Sequence, residues 1–128
     1  MCIRDSLLTT TGGIGVSDGS HKAAHSTSAF ILTKRQKPLK TDPLCAVKGS
    51  NVVPGNPQEQ DSYRAELGGL MGLLVSLHLV CHLHRVTQGQ VELGLDGEGA
   101  YKAVFESEHV AVDVKACDLL RALSLIHI

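Results

Sequence analysis

No tryptophan occurs in the 128-residue chain, and tyrosine and phenylalanine contribute two residues each, so any core must be built from aliphatic side chains. A charge of one sign is also missing, with 12 Lys and Arg against 13 Asp and Glu and a net charge of −1. That balance excludes a general electrostatic grip on nucleic acid; such binding must come from local patches or from metal ions. There is no P-loop, no dinucleotide fingerprint, and no Gly-x-Ser-x-Gly context around Ser17, Ser20 or Ser62, so nucleophilic catalysis is not supported. Internal repeats and low-complexity tracts are absent too.

The two ends encode each other. Met1 to Ser6, MCIRDS, is a translation of ATG TGT ATA AGA GAC AG, and the reverse complement, CTG TCT CTT ATA CAC AT, reads LSLIHI, which is Leu123 to Ile128. Both ends look like a translated transposon end from the preparation of sequencing libraries, and residues 1–6 and 123–128 are set aside as artefact. The expectation is that the biological chain continues past both. Residues 7–122 then hold one small domain. Setting Cys2 aside leaves Cys45, Cys81 and Cys117, widely spaced and odd in number, which points to free thiols in a reducing, intracellular compartment, cytoplasmic or nuclear. No secretory signal is visible in the sequence.

What is present is one long apolar stretch, Gln60 to Leu83. Tyr63, Leu67, Leu70, Met71, Leu74 and Leu77 recur at the spacing of one helix face, and Leu73, Val80 and Leu83 widen it, which predicts a buried helix. Asp61 or Ser62 is its N-cap, which places Glu66 in its first turn near the positive end. Gly68, Gly69 and Gly72 each cost about 1 kcal/mol of helix propensity relative to Ala. Such a cost implies close packing, most simply against a sheet. Ser76, His78 and His82 interrupt the run, so it is read as falling short of the roughly 20 apolar residues of a membrane span.

Before that helix, Gly12 to Ser17 reads as a strand delivering Asp18-Gly19-Ser20, His21 to Ala24 as a connection, and His25 to Lys34 as a second, antiparallel strand. Lys34 to Leu44 reads as a loop, and Ala46 to Val53 as a third strand before the Pro54-Gly55 turn. After the helix, Gln90 to Leu95 alternates and predicts a strand ending at Asp96; Gly97 to Glu106 and Val110 to Leu120 are helix-compatible. The expected class is α/β: a mixed sheet of three antiparallel strands, with a fourth added in parallel after a helical crossover.

Three carboxylates hold distinctive positions: Asp18 by the first strand, Glu66 in the helix and Asp96 after the fourth strand. Singly, each has a plain structural role, in a turn, at a helix dipole or at a cap. Were the first and fourth strands neighbours, with the helix packed across them, the three would share one cleft. Clustered carboxylates repel and raise one another's pKa unless a cation offsets the charge. Hard oxygen donors suit Mg²⁺, and a pair of such ions can activate water for in-line phosphodiester displacement.

VSDGS (Val16 to Ser20), SYRAELGGL (Ser62 to Leu70) and LGLDGEGAYKAV (Leu93 to Val104) resemble segments of the ribonuclease H-like domains of retrotransposon reverse transcriptase polyproteins. The resemblance implies a five-stranded mixed sheet with helices, and hydrolysis of the RNA strand of RNA–DNA hybrids by two Mg²⁺ ions, with Mn²⁺ as the substitute ion. It implies Asp18, Glu66 and Asp96 as metal ligands, and an upstream reverse transcriptase domain as partner, with no membrane. The family also carries a further strand and a fourth acidic residue after the last helices. Asp118 lies in a predicted helix and is a poor substitute, so the chain as written is expected to be weak or inactive. The alternative is a non-catalytic module of the same kind, holding nucleic acid or supporting a polymerase domain.

Two further signals are weighed and set aside. In HLVCHLH, His78 and His82 share a helix face and can hold zinc, but no second ligand pair is evident, and an interaction with the helix C-terminus is the simpler reading. The loop cations Lys34, Arg35, Lys37 and Lys40 could touch phosphates by charge alone, although a solvated loop accounts for them.

Overall fold

The computed structural model describes residues 12–34 and 46–105. Strands β1 (Gly13–Lys22), β2 (His25–Lys34) and β3 (Ala46–Val52) are followed by a 3₁₀ turn (Pro57–Glu59), helix α1 (Ser62–Leu83), strand β4 (Val91–Leu95) and helix α2 (Glu98–Phe105). The sheet order is β3-β2-β1-β4. β1 pairs antiparallel with β2 and β2 with β3, whereas β4 lies parallel to β1, with Gly13 opposite Val91 and Ser17 opposite Leu95. The α/β class and the single parallel pair after a helical crossover are thus as expected. The predicted helix from Val110 to Leu120 and most of the 34–44 loop lie outside the described residues.

The first hairpin differs from its sequence reading. β1 does not stop at Ser17 but runs ten residues, so Asp18 lies within the strand and the connection shrinks to Ala23-Ala24. Both alanines hold left-handed backbone, at φ 49° and 64°. A two-residue turn between right-twisted strands demands that conformation, and alanine signals it poorly. Pairing of ten residues outweighs the local cost.

Helix α1 starts where capping chemistry dictates. The side chain of Asp61 accepts a hydrogen bond from the Arg64 backbone N–H at 2.7 Å, satisfying a donor that the first turn leaves without a partner. Glu66 therefore falls in the second turn, a correction to its expected place in the first. The other end closes with Arg85 at φ 54°, while Val86 N–H donates to Cys81 C=O at 2.8 Å and Arg85 N–H to His82 C=O at 3.3 Å. This is the paired-bond stop for which glycine is the usual signal.

The inner face of α1 carries Leu67, Leu70, Leu73, Leu74 and Leu77, all buried. Leu67, Leu70 and Leu74 join Val53 and Ala100 in one cluster, and Leu73 and Leu77 join Leu32 in another. Each such leucine contributes about 1.5–3 kcal/mol of burial. The outer face is less covered than expected. Leu79 is 57% exposed and Leu83 77% exposed, so Leu83 does not extend the buried stripe. By length and composition α1 does meet the requirements of a membrane span, against the sequence reading; in the fold it lies across β1 and β2.

The predicted role of the glycines holds. A Cβ on Gly69 would sit 3.0 Å from the Asp18 carbonyl oxygen, and those on Gly68 and Gly72 would press into Val53 and Phe30. From the strand side, a Cβ on Gly19 would collide with the backbone of Ala65 and Glu66. Gly19→Ala is expected to cost about 1–3 kcal/mol in urea unfolding, whereas Gly94→Ala, whose Cβ would meet Val16 Cγ2 at an ordinary 3.6 Å, should change little. At the hairpin, Ala24→Gly should raise the unfolding free energy by about 1 kcal/mol by relieving the left-handed alanine.

Candidate carboxylate site

The parallel pairing of β1 with β4 and the packing of α1 on β1 bring the three predicted acids into one region. Ser17 pairs with Leu95, so Asp96 emerges beside Asp18 as β4 ends. Gly19 lets α1 approach β1 at Ala65 and Glu66, which sets the Glu66 carboxylate at the same end of the sheet. Gly97 completes the arrangement. Its Cα lies so close to the Glu66 carboxylate that a Cβ there would occupy the same space.

The electrostatics follow from that crowding. Burial pushes the Glu66 carboxyl above its ordinary 4.5, and the charges of Asp96 and then Asp18 raise it further. The three groups therefore sense one another. They do not, however, converge: among the described residues no three His, Cys, Asp or Glu side chains form a metal-binding group. Strand geometry gives the reason. Ser17 turns toward α1 and packs near Gly69, so by alternation Asp18 turns to the other face, where it is exposed and its Oδ1 accepts the Gly19 N–H at 2.9 Å. Glu66 comes from the helix side. The donor chemistry, three carboxylates, suits a hard cation, while the spacing is wider than a closed ligand set.

Asp18 borders a shallow concavity on the sheet face opposite α1, lined by Val16, Ala29, Ile31, Lys48 and Ser50. A strand with one face buried alternates polar and apolar residues, and here Val16 remains 44% exposed and Val52 71% exposed.

Several residues that position the site were not legible in the sequence. Arg64, only 2% exposed, donates from Nε to the Pro54 carbonyl at 2.7 Å and ties the loop after β3 to the first turn of α1. Ser26 is fully buried; its hydroxyl donates to the Asp61 carbonyl at 3.4 Å and meets His21 Nδ1 at 3.1 Å, joining the hairpin to the α1 cap. A serine on an exposed-looking strand and a charged residue on a helix give no sequence signal of either bond.

No family model and no curated protein matches the chain.

Because the folded carboxyl of Glu66 is raised, the folded state holds its proton more tightly than the unfolded state. The resulting stabilisation is full below about 4.5 and is lost as pH rises through the folded value. The Glu66 contribution to the unfolding free energy should therefore fall as pH rises from 4 toward neutrality, and the wild-type value minus the Glu66→Gln value should decrease over that range. In a carboxyl-carbon NMR titration, Asp96→Asn should lower the Glu66 midpoint more than Asp18→Asn does; the reverse order would mean that the two charges are ranked wrongly.

Proposed function

We propose that the chain carries a ribonuclease H-like site that hydrolyses the RNA strand of RNA–DNA hybrids in a retroelement setting, with low activity in the chain as written. The observation that supports this reading is that the β1–β4 pair and α1 bring Asp18, Glu66 and Asp96 to one end of the sheet, close enough for the charges of Asp96 and Asp18 to raise Glu66. Mutual repulsion of this kind is what a divalent cation offsets.

In this reading the three carboxylates hold Mg²⁺, which when bound supplies Lewis acidity and an activated water. The chain's own residues do the positioning. Asp96, at the end of β4, supplies one carboxylate from a rigid strand terminus. Glu66 is held by α1 and cradled at Gly97. Asp18 must release the Gly19 N–H and turn toward the other two. That rearrangement is a second reason, beside the poor fit of Asp118 as a fourth acid, to expect low activity from the chain as written. A reducing intracellular compartment, cytoplasmic or nuclear, and an upstream reverse transcriptase domain accompany the proposal.

The separation of the carboxylates favours a second reading: a non-catalytic ribonuclease H-like module that holds a hybrid or a neighbouring polymerase domain. The two part company on one comparison. An enzyme cleaves a labelled hybrid in Mg²⁺ and loses at least tenfold in rate on Asp96→Asn, with circular dichroism unchanged. A binding module shows no cleavage, and Asp96→Asn leaves its hybrid affinity the same in a filter-binding titration.

A further inference from the structure

The second half of α1 presents two imidazoles one turn apart on its outer face. His78 and His82 are both exposed, and their rings stack with centroids 6.4 Å apart and planes inclined by 14°. They stand on a helix fixed toward the sheet by Leu70, Leu73 and Leu77, and ended by the Arg85 and Val86 hydrogen bonds. The backbone therefore holds the pair at constant spacing.

We infer that His78 and His82 form a two-nitrogen site for a late first-row divalent cation, of the Ni²⁺, Cu²⁺ and Zn²⁺ class, separate from the carboxylates. Rings at i and i+4 share one helix face, and modest rotation of two exposed side chains brings a nitrogen of each to about 2.0–2.1 Å from one ion. No third His, Cys, Asp or Glu joins them among the described residues, so water fills the remaining positions and the ion exchanges. Cys81 lies between them in sequence, but its half-buried side chain packs against the Leu32, Leu73 and Leu77 cluster rather than beside the two rings. Imidazole ligands select against Mg²⁺, and affinity follows the order Zn²⁺ and Ni²⁺ below Cu²⁺. From position 66 to position 78 the helix rises about 18 Å, which keeps this ion apart from Glu66. The inference does not depend on the proposed hydrolytic activity.

The test uses the whole 128-residue chain and Ni²⁺ alone, read by calorimetric titration and by urea unfolding. One ion should bind per chain, and at a free Ni²⁺ concentration ten times its dissociation constant the folding equilibrium constant should rise about tenfold. Mg²⁺ at the same concentration should have no such effect. His78→Ala and His82→Ala should each abolish the increase, and His84→Ala should leave it intact. All three side chains are exposed, so the variants should fold alike. A double variant, His82→Ala with Leu83→His, moves the second imidazole about 100° round the helix and should not restore binding. Retained binding in His78→Ala, equal loss in His84→Ala, or restoration by the shifted histidine would each overturn the assignment.

Discussion

The rest of the structure depends on how closely the backbone of α1 lies on β1 and β2. Gly19 on the strand and Gly68, Gly69 and Gly72 on the helix remove the side chains that would hold the two apart. The helix gives up propensity at three positions, and the burial of five leucines against the sheet offsets that loss. The same approach brings Glu66 alongside β1. Packing and site geometry thus have one cause, and a change at Gly19 acts on both.

The carboxylates show how a fold can gather charge without closing a site. Parallel pairing sets Asp96 beside Asp18, and the helix adds Glu66, yet the alternation of β1 turns Asp18 away from α1. The result is a cluster near enough to raise Glu66 but too spread to act as a preformed ligand group. Gly97 matters here as a space rather than as a turn, because the Glu66 carboxylate occupies the position its side chain would take. Buried supports at Ser26 and Arg64 fix the N-terminal end of α1 to the hairpin and to the loop after β3.

Much of this was legible from residues alone. β2 runs from His25 to Lys34 as its β-rich composition indicates, and β3, α1 and β4 begin or end within two residues of their sequence signals. These elements have strong periodicity or flanking turn residues. The misplacements occurred where a signal was weak or was borrowed by tertiary structure. Ala23-Ala24 makes a tight turn without Gly or Asn. Asp18-Gly19 looks like a turn and is paired strand, because the neighbouring β2 supplies ten partners. Leu79 and Leu83 carry apolar side chains on a helical face that the described residues leave open.

The sequence by itself determined the class of the fold, the N-cap and core face of the long helix, and the choice of Asp18, Glu66 and Asp96 as the acids worth watching, since these rest on local periodicity, capping chemistry and residue type. Only the tertiary structure decided how far those acids approach one another, which glycines admit the helix, and that His78 and His82 stack in the open. Distances across a sheet depend on register, and register is set by long-range pairing and side-chain alternation that no local stretch contains.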